Sequence, residues 1–112
     1  MKRNFETIEQ GTEYTIPNYE VIDGQGIQLT GTTQTIKFVR GSKLKEEEVE
    51  KREGTLHEHL LSMIIEDLKY KNNLVPSRES ALVITKLEEA RMWMEERQRS
   101  REASGTSGTY QK

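Results

Sequence analysis

The stretch Pro76-Ser77-Arg78-Glu79-Ser80-Ala81-Leu82-Val83-Ile84-Thr85-Lys86-Leu87-Glu88-Glu89-Ala90-Arg91-Met92-Trp93 decides how this sequence folds. Proline followed by serine and then an acidic residue is a helix start. The serine oxygen can take an orphan backbone amide, and Glu79 suits the positive end of the helix dipole. The pattern predicts a helix from about Arg78 to Glu102. Along it Val83, Leu87, Ala90 and Met94 advance by four, three and four, a heptad seam. The same steps then reach Arg97 and Arg101. An apolar stripe that runs into two guanidinium groups either leaves its packing partner there or meets something anionic.

Working back from Pro76, Asn72-Asn73 reads as the end of a preceding helix, and Thr55-Leu56-His57-Glu58 has the T-x-x-E spacing of a capping box. Between them His57, Leu61, Ile64 and Leu68, widened by Leu60 and Met63, form an apolar face that continues to about Tyr70. Two helices joined by so short a connection predict an antiparallel hairpin over residues 55–102. Before it, GSKLKEEEVEKREG at 41–54 is a charged linker bounded by glycine. Its consecutive glutamates, Glu46 to Glu48, diverge on a helix and do not converge on one metal ion.

Residues 13–40 are rich in Thr, Ile, Tyr, Val and Gly, with Gly24, Gly26 and Gly31 dividing short runs of strand-forming residues. Tyr19-Glu20-Val21 leads into the turn dipeptide Asp23-Gly24. Gly26 to Thr30 places Ile27 and Leu29 on one face, and Thr35 to Arg40 does the same for Ile36 and Phe38. Two or three short strands are expected, in a meander too small to stand alone. The fold class is therefore α+β: a small N-terminal antiparallel β-meander in residues 1–40, then a two-helix antiparallel hairpin, oligomerising through the helices. Residues 103–112, ASGTSGTYQK, form a Gly/Thr-rich tail that a partner or ligand would order.

Composition narrows the function. Apolar residues are 32% of the 112, and with the 8 glycines the share is still about 39%, below the roughly 45–50% of an ordinary globular chain, so a partner is expected to complete the core. Seventeen basic against nineteen acidic residues give a net charge of −2, which disfavours DNA as a partner. Without cysteine there are no disulfides, thiolate metal sites or cysteine nucleophiles. No apolar run approaches the roughly 18 residues of a membrane span, and the polar Met1 to Gln10 has no signal-peptide core, so a soluble intracellular protein is expected.

No catalytic or metal-binding constellation stands out. His57 and His59 are two residues apart and point to different helix faces, unlike an i, i+4 zinc pair; His57 reads as a packed polar residue. The charges of the second helix, Glu95 with Arg99 among them, read as surface ion pairs, and Gly24-Gln25-Gly26 is a turn and no dinucleotide fingerprint. Binding residues are more apparent. Tyr70 can stack on a base, Arg78 begins the next helix nearby, and Arg97 and Arg101 offer planar forks to phosphate. Trp93 is expected on a different face from Arg97, as core or interface.

The block from Pro76 to Trp93, with its R-E-x-A-x-x-I-T-K-L-E-E-A-x-x-W pattern, resembles the helical-hairpin domain shared by phage Thoeris anti-defence and anti-CBASS sponges. The Thoeris branch is the more similar. Ile36-Lys37-Phe38, the stretch His59-Leu60-Leu61 to Asp67-Leu68, Arg97 after Trp93, and Gly105-Thr106-Ser107-Gly108-Thr109 correspond to its elements, so that the resemblance covers roughly residues 33–109. It implies a non-enzymatic protein without cofactor or metal, acting in the host bacterial cytoplasm. Such a protein binds a cyclic ADP-ribose isomer, gcADPR, and withholds it from its effector. It also implies that Tyr70 stacks on the adenine, that Arg97 holds the diphosphate, and that Ser80 stands where relatives often have a ligand-contacting asparagine. Thr109 would belong to a tail that closes the pocket. A homodimer or a larger assembly of dimers is implied, with cyclic di- or trinucleotides as further ligands of some relatives. The alternatives are an anti-CBASS-type sponge for cyclic oligonucleotides, an enzyme that degrades the signal, and a helical interaction module with no small-molecule site.

Overall fold

A computed structural model of the chain describes residues 4–41 and 50–103. The expectations for Glu46–Glu48 and for the tail, Thr109 included, lie outside the described residues. Three strands, β1 (Glu6–Glu9), β2 (Glu13–Ile22) and β3 (Gly26–Lys37), precede two helices, α1 (His57–Leu74) and α2 (Arg78–Ala103). This is the expected α+β order, and the sheet is antiparallel throughout, in the order β1-β2-β3. Strands and helices belong to two compact units.

In the sheet unit the strands are fewer breaks and more chain than expected. Gly31 does not divide residues 26–37; it adopts φ +89 within a single long β3, where the pairing with β2 shifts between Pro17 and Tyr19. A glycine there absorbs an irregularity that a side chain would strain. The strand β1, unanticipated, turns through Gly11 at φ +85 into β2. Thr12 locks this corner. It is 2% exposed, its Oγ1 donates to the Phe38 carbonyl at 2.9 Å, and its own carbonyl accepts the Phe38 amide at 2.7 Å. The Tyr14 ring packs edge-on against Phe5 and Phe38, with 5.9 Å between centroids in each case.

The far end of the charged linker returns to this unit. Arg40 and Arg52 exchange both backbone hydrogen bonds, at 2.9 and 2.6 Å, and the Arg52 guanidinium reaches both Glu9 oxygens, at 3.2 and 3.3 Å, and Glu50 at 2.7 Å. Glu50 first and then Glu9 raise the Arg52 pKa above its ordinary value. Two residues on, a Cβ at Gly54 would stand 2.5 Å from the Phe38 carbonyl carbon and 2.7 Å from both the Lys37 oxygen and the Val39 nitrogen. All three are backbone atoms, which cannot swing aside.

In the helical unit, Ser77 caps α2 as expected: its Oγ accepts the Ser80 amide at 3.0 Å and its carbonyl accepts the Ala81 amide. The capping box at Thr55 does not form. Leu56 occupies the cap position of α1 with no side-chain bond. Nor do Asn72-Asn73 end that helix. It continues to Leu74, and the Asn72 Oδ1 accepts the Ser77 amide at 2.9 Å, bracing the connection.

The seam between the helices keeps half of each expected stripe, Leu61 and Leu68 on α1 and Leu87 and Met94 on α2, and moves the other half by one residue. The buried residues are Ile65 and Ile84, at 2% and 8% exposure, and Leu61, Leu68, Leu87 and Met94 are half-buried beside them. Ile64 and Val83 remain 43% and 46% exposed, and His57 and Ala90 are exposed as well. Each stands one residue before a buried or half-buried residue, Glu58, Ile65, Ile84 or Arg91, and so lies about 100° around its helix from the seam. Because the helices run antiparallel, these offsets fall on the same side of the hairpin. His57, Ile64, Val83 and Ala90 therefore form a shared flank bordering the contact. Lys69 pairs with Glu88 at 2.8 Å and Arg91 with the Ser62 hydroxyl at 3.4 Å, which fixes the register of the two helices. Arg99 pairs with Glu96 at 3.3 Å, where Glu95 was expected.

Two outcomes follow from these contacts. Gly54→Ala should destabilise the sheet unit by about 1–3 kcal/mol, seen as faster hydrogen exchange of the β3 amides, with the hairpin amides unchanged. The hydrogen bond and charge of Lys69 lower the Glu88 pKa. The stability this gives is present above the ordinary carboxylate range and is lost as pH falls through the depressed Glu88 value. Lys69→Met should accordingly move the Glu88 titration upward in an NMR pH series.

Candidate functional site

The six residues expected to bind ligand are distributed along the helical unit, apart from Thr109. Tyr70 projects from the last turns of α1 and is 64% exposed, on a stripe with Met63 (59%) and Leu74 (64%). Arg78 opens α2 and is exposed, and Ser80 follows it half-buried on the seam side. These three stand at the turn end of the hairpin.

The other cations stand at the opposite end. Arg97 is exposed and continues the Val83–Ala90 spacing, so it closes the apolar flank with a charge; Arg101, one turn on, is half-buried. Counting nine residues from the Lys69–Glu88 pair, or six from the Ser62–Arg91 pair, puts Arg97 level with residues 56–60 of α1. At 1.5 Å per residue Tyr70 is therefore roughly 15–20 Å further along the hairpin. The two also project from different sides. One chain does not bring the Tyr70 ring and the exposed Arg97 guanidinium together; they stand toward opposite ends of the hairpin.

Between the ends of the helices opens a cleft of about 530 Å³, lined by Leu56, Glu58, His59, Glu95, Gln98, Arg99 and Glu102. It does not suit a diphosphate. Three carboxylates face one arginine, and that arginine is already bound to Glu96. Among the described residues there is also no group of three or more histidines and acids placed to hold a metal ion. No helix of the structure is long and apolar enough to cross a membrane.

Trp93 corrects another expectation. It is 65% exposed, so it is no part of the hairpin core, and its four-residue spacing from Arg97 puts the two on adjoining positions of α2. With Met92 at 55% and Met63 at 59%, it adds to the apolar surface near mid-hairpin. Helical spacing alone was enough to place it beside Arg97, and the exposure follows from the true phase of the seam, set by Ile84.

Comparison with known proteins bears on this arrangement. Within the chain, residues 33–99 match the family described as "Acb2/Tad1, hairpin domain", a span that contains Tyr70, Arg78, Ser80 and Arg97. The protein described as Thoeris anti-defense 1, from Bacillus phage SBSphiJ7, is 45% identical over 60 residues, covering 53% of this chain and 42% of the relative. The match thus spans less than half the length of that relative. With the matched region covering both helices through Arg99 and more than half of the sequence, this chain belongs to the Acb2/Tad1 hairpin-domain family.

Proposed function

We propose that this chain is a phage anti-defence protein that sequesters a cyclic ADP-ribose isomer of the gcADPR type, in the host cytoplasm, without breaking any of its bonds. The observation that carries this reading is the family match over residues 33–99, which includes both the exposed ring of Tyr70 and the exposed guanidinium of Arg97. The name of the phage relative, Thoeris anti-defense 1, points the same way.

The chemistry of the two half-sites fits such a ligand. Tyr70 supplies a stacking face for adenine, worth about 1–3 kcal/mol. Arg97 supplies charge-assisted hydrogen bonds to the diphosphate at about 1.5–3 kcal/mol each. Capture below micromolar concentrations needs about −8 kcal/mol, so a ring and one arginine are not enough, and Arg78, Arg101, Ser80 and Thr109 are assigned supporting contacts.

The half-sites meet only between chains. A two-fold axis perpendicular to the hairpin, level with Ile64, would carry Tyr70 of one chain to the level of Arg97 on its partner, and the reverse. That level is where Ile64, Met63 and Trp93 leave apolar surface exposed. An assembly of at least two chains, joined through the helices, therefore belongs to the proposal.

Calorimetry with gcADPR should show saturable binding, and heat denaturation of the complex should return the nucleotide chemically unchanged by mass spectrometry. Tyr70→Ala and Arg97→Ala should each weaken binding by about 1–3 kcal/mol with the oligomer intact. Recovery of a linear product would replace the sponge with a degrading enzyme. Absence of heat with gcADPR but binding of a cyclic di- or trinucleotide would select the oligonucleotide sponge, and absence of heat with all of them the interaction module.

A further inference from the structure

The outer half of the β2–β3 ribbon is built the wrong way round for a protein surface. Strand β1 pairs only with Glu13, Tyr14 and Thr15, so beyond that point the ribbon has two strands. There Tyr19 is paired with Leu29 and Val21 with Ile27. Two residues apart on each strand, these four side chains share one face. All are exposed, Tyr19 by 56%, Leu29 by 62%, Ile27 by 69% and Val21 by 77%. The reverse face carries Glu20 opposite Gln28, and Asn18 hydrogen-bonded to Thr32 and Gln34. A two-stranded ribbon is marginal unless its apolar face is covered.

The same face is recessed at its base. An open cleft of about 450 Å³ lies there, with Phe5, Pro17, Tyr19 and Leu29 among its lining residues. The face therefore has a protruding apolar end, Val21–Ile27, and a hollow end in which Phe5 and Pro17 stand with Asn4, Glu6, Thr15 and Thr33.

We propose that this face is an interface, and that its occupant is the same face of a second copy of the chain. Val21 and Pro17 are each two residues from Tyr19, so a two-fold axis through the Tyr19–Leu29 pair seats the tip of each ribbon over the cleft of the other. The four tip residues are uncharged, and the one charged residue of the cleft, Glu6, meets the apolar tip of the other copy, so two copies meet no like-charge repulsion. Four side chains more than half exposed, with Phe5 and Pro17 in the hollow, offer on the order of 400–500 Å² per copy. Two copies bury about 1,000 Å², the size at which specific interfaces begin. This surface lies in the sheet unit, so it stands or falls independently of the ligand and of pairing through the helices.

The sequence contains no cysteine, so an introduced one reports only its own contacts. In the full chain, Tyr19→Cys and Leu29→Cys lie at the proposed axis, and Glu20→Cys lies on the reverse face as a control. Facing sheets are ~10 Å apart, so a bis-maleimide linker of ~8 Å bridges thiols across the axis. Covalent dimer should be the major product from Tyr19→Cys and Leu29→Cys, and at least tenfold less from Glu20→Cys. Adding Ile27→Glu to Leu29→Cys should abolish the product while helical circular dichroism is unchanged. Equal yields from both faces, a yield that survives Ile27→Glu, or no dimer from either axis cysteine overturns the proposal; the last is also what a helix of another copy covering this face would give.

Discussion

The mutual burial of one narrow stripe of each helix, with Ile65 the buried residue of α1 and Ile84 that of α2, is the constraint on which the helical unit depends. Two antiparallel helices can bury only one stripe of each in their mutual contact. Here both carry more apolar surface than that. Met63-Ile64-Ile65 and Leu82-Val83-Ile84 place three consecutive apolar residues across about 200° of each helix. Once the isoleucines at 65 and 84 are covered, Ile64, Val83, Met63 and Trp93 are left outside. The sheet unit has the same surplus, with Tyr19, Val21, Ile27 and Leu29 exposed and the small Thr12 its only fully buried side chain among the described residues. In both units apolar residues stand where a single chain leaves them uncovered. In a chain only 32% apolar, that surplus supports the proposal that other chains complete its surfaces.

The same triplets explain what could and could not be read from the sequence. Element type was legible, because Ser77 is a true cap, Pro76 interrupts, and the heptad pattern of α2 is long. The phase was not. When residues 63–65 and 82–84 are all apolar, periodicity fits a seam through 64 and 83 as well as one through 65 and 84, and only the packing of the partner helix decides. The end of α1 was misplaced because Asn72 acts across the connection, holding the Ser77 amide, and a local signal cannot show that. Likewise the return of Arg52 to Glu9 depends on a contact 43 residues apart in sequence, and Gly31 serves a strand irregularity where it looked like a boundary.

For the site, the residue types were legible, and the end of the hairpin that each occupies was not. Antiparallel pairing in the register fixed by Lys69–Glu88 sends the tyrosine and the arginines toward opposite ends. If both ends contact one ligand, as proposed, the site is completed by a partner turned end for end, and the uncovered apolar residues at mid-hairpin offer the surface for it.

Mixing the two half-site variants tests this most directly. Chains with Tyr70→Ala and chains with Arg97→Ala, combined and allowed to exchange subunits, should form mixed pairs in which one site has both residues intact and the other has neither. Titration with gcADPR should then recover tight binding in about a quarter of the sites, although neither variant alone shows it. A mixture that binds no better than its two components would mean that ring and guanidinium act within one chain or not together, and would contradict the account.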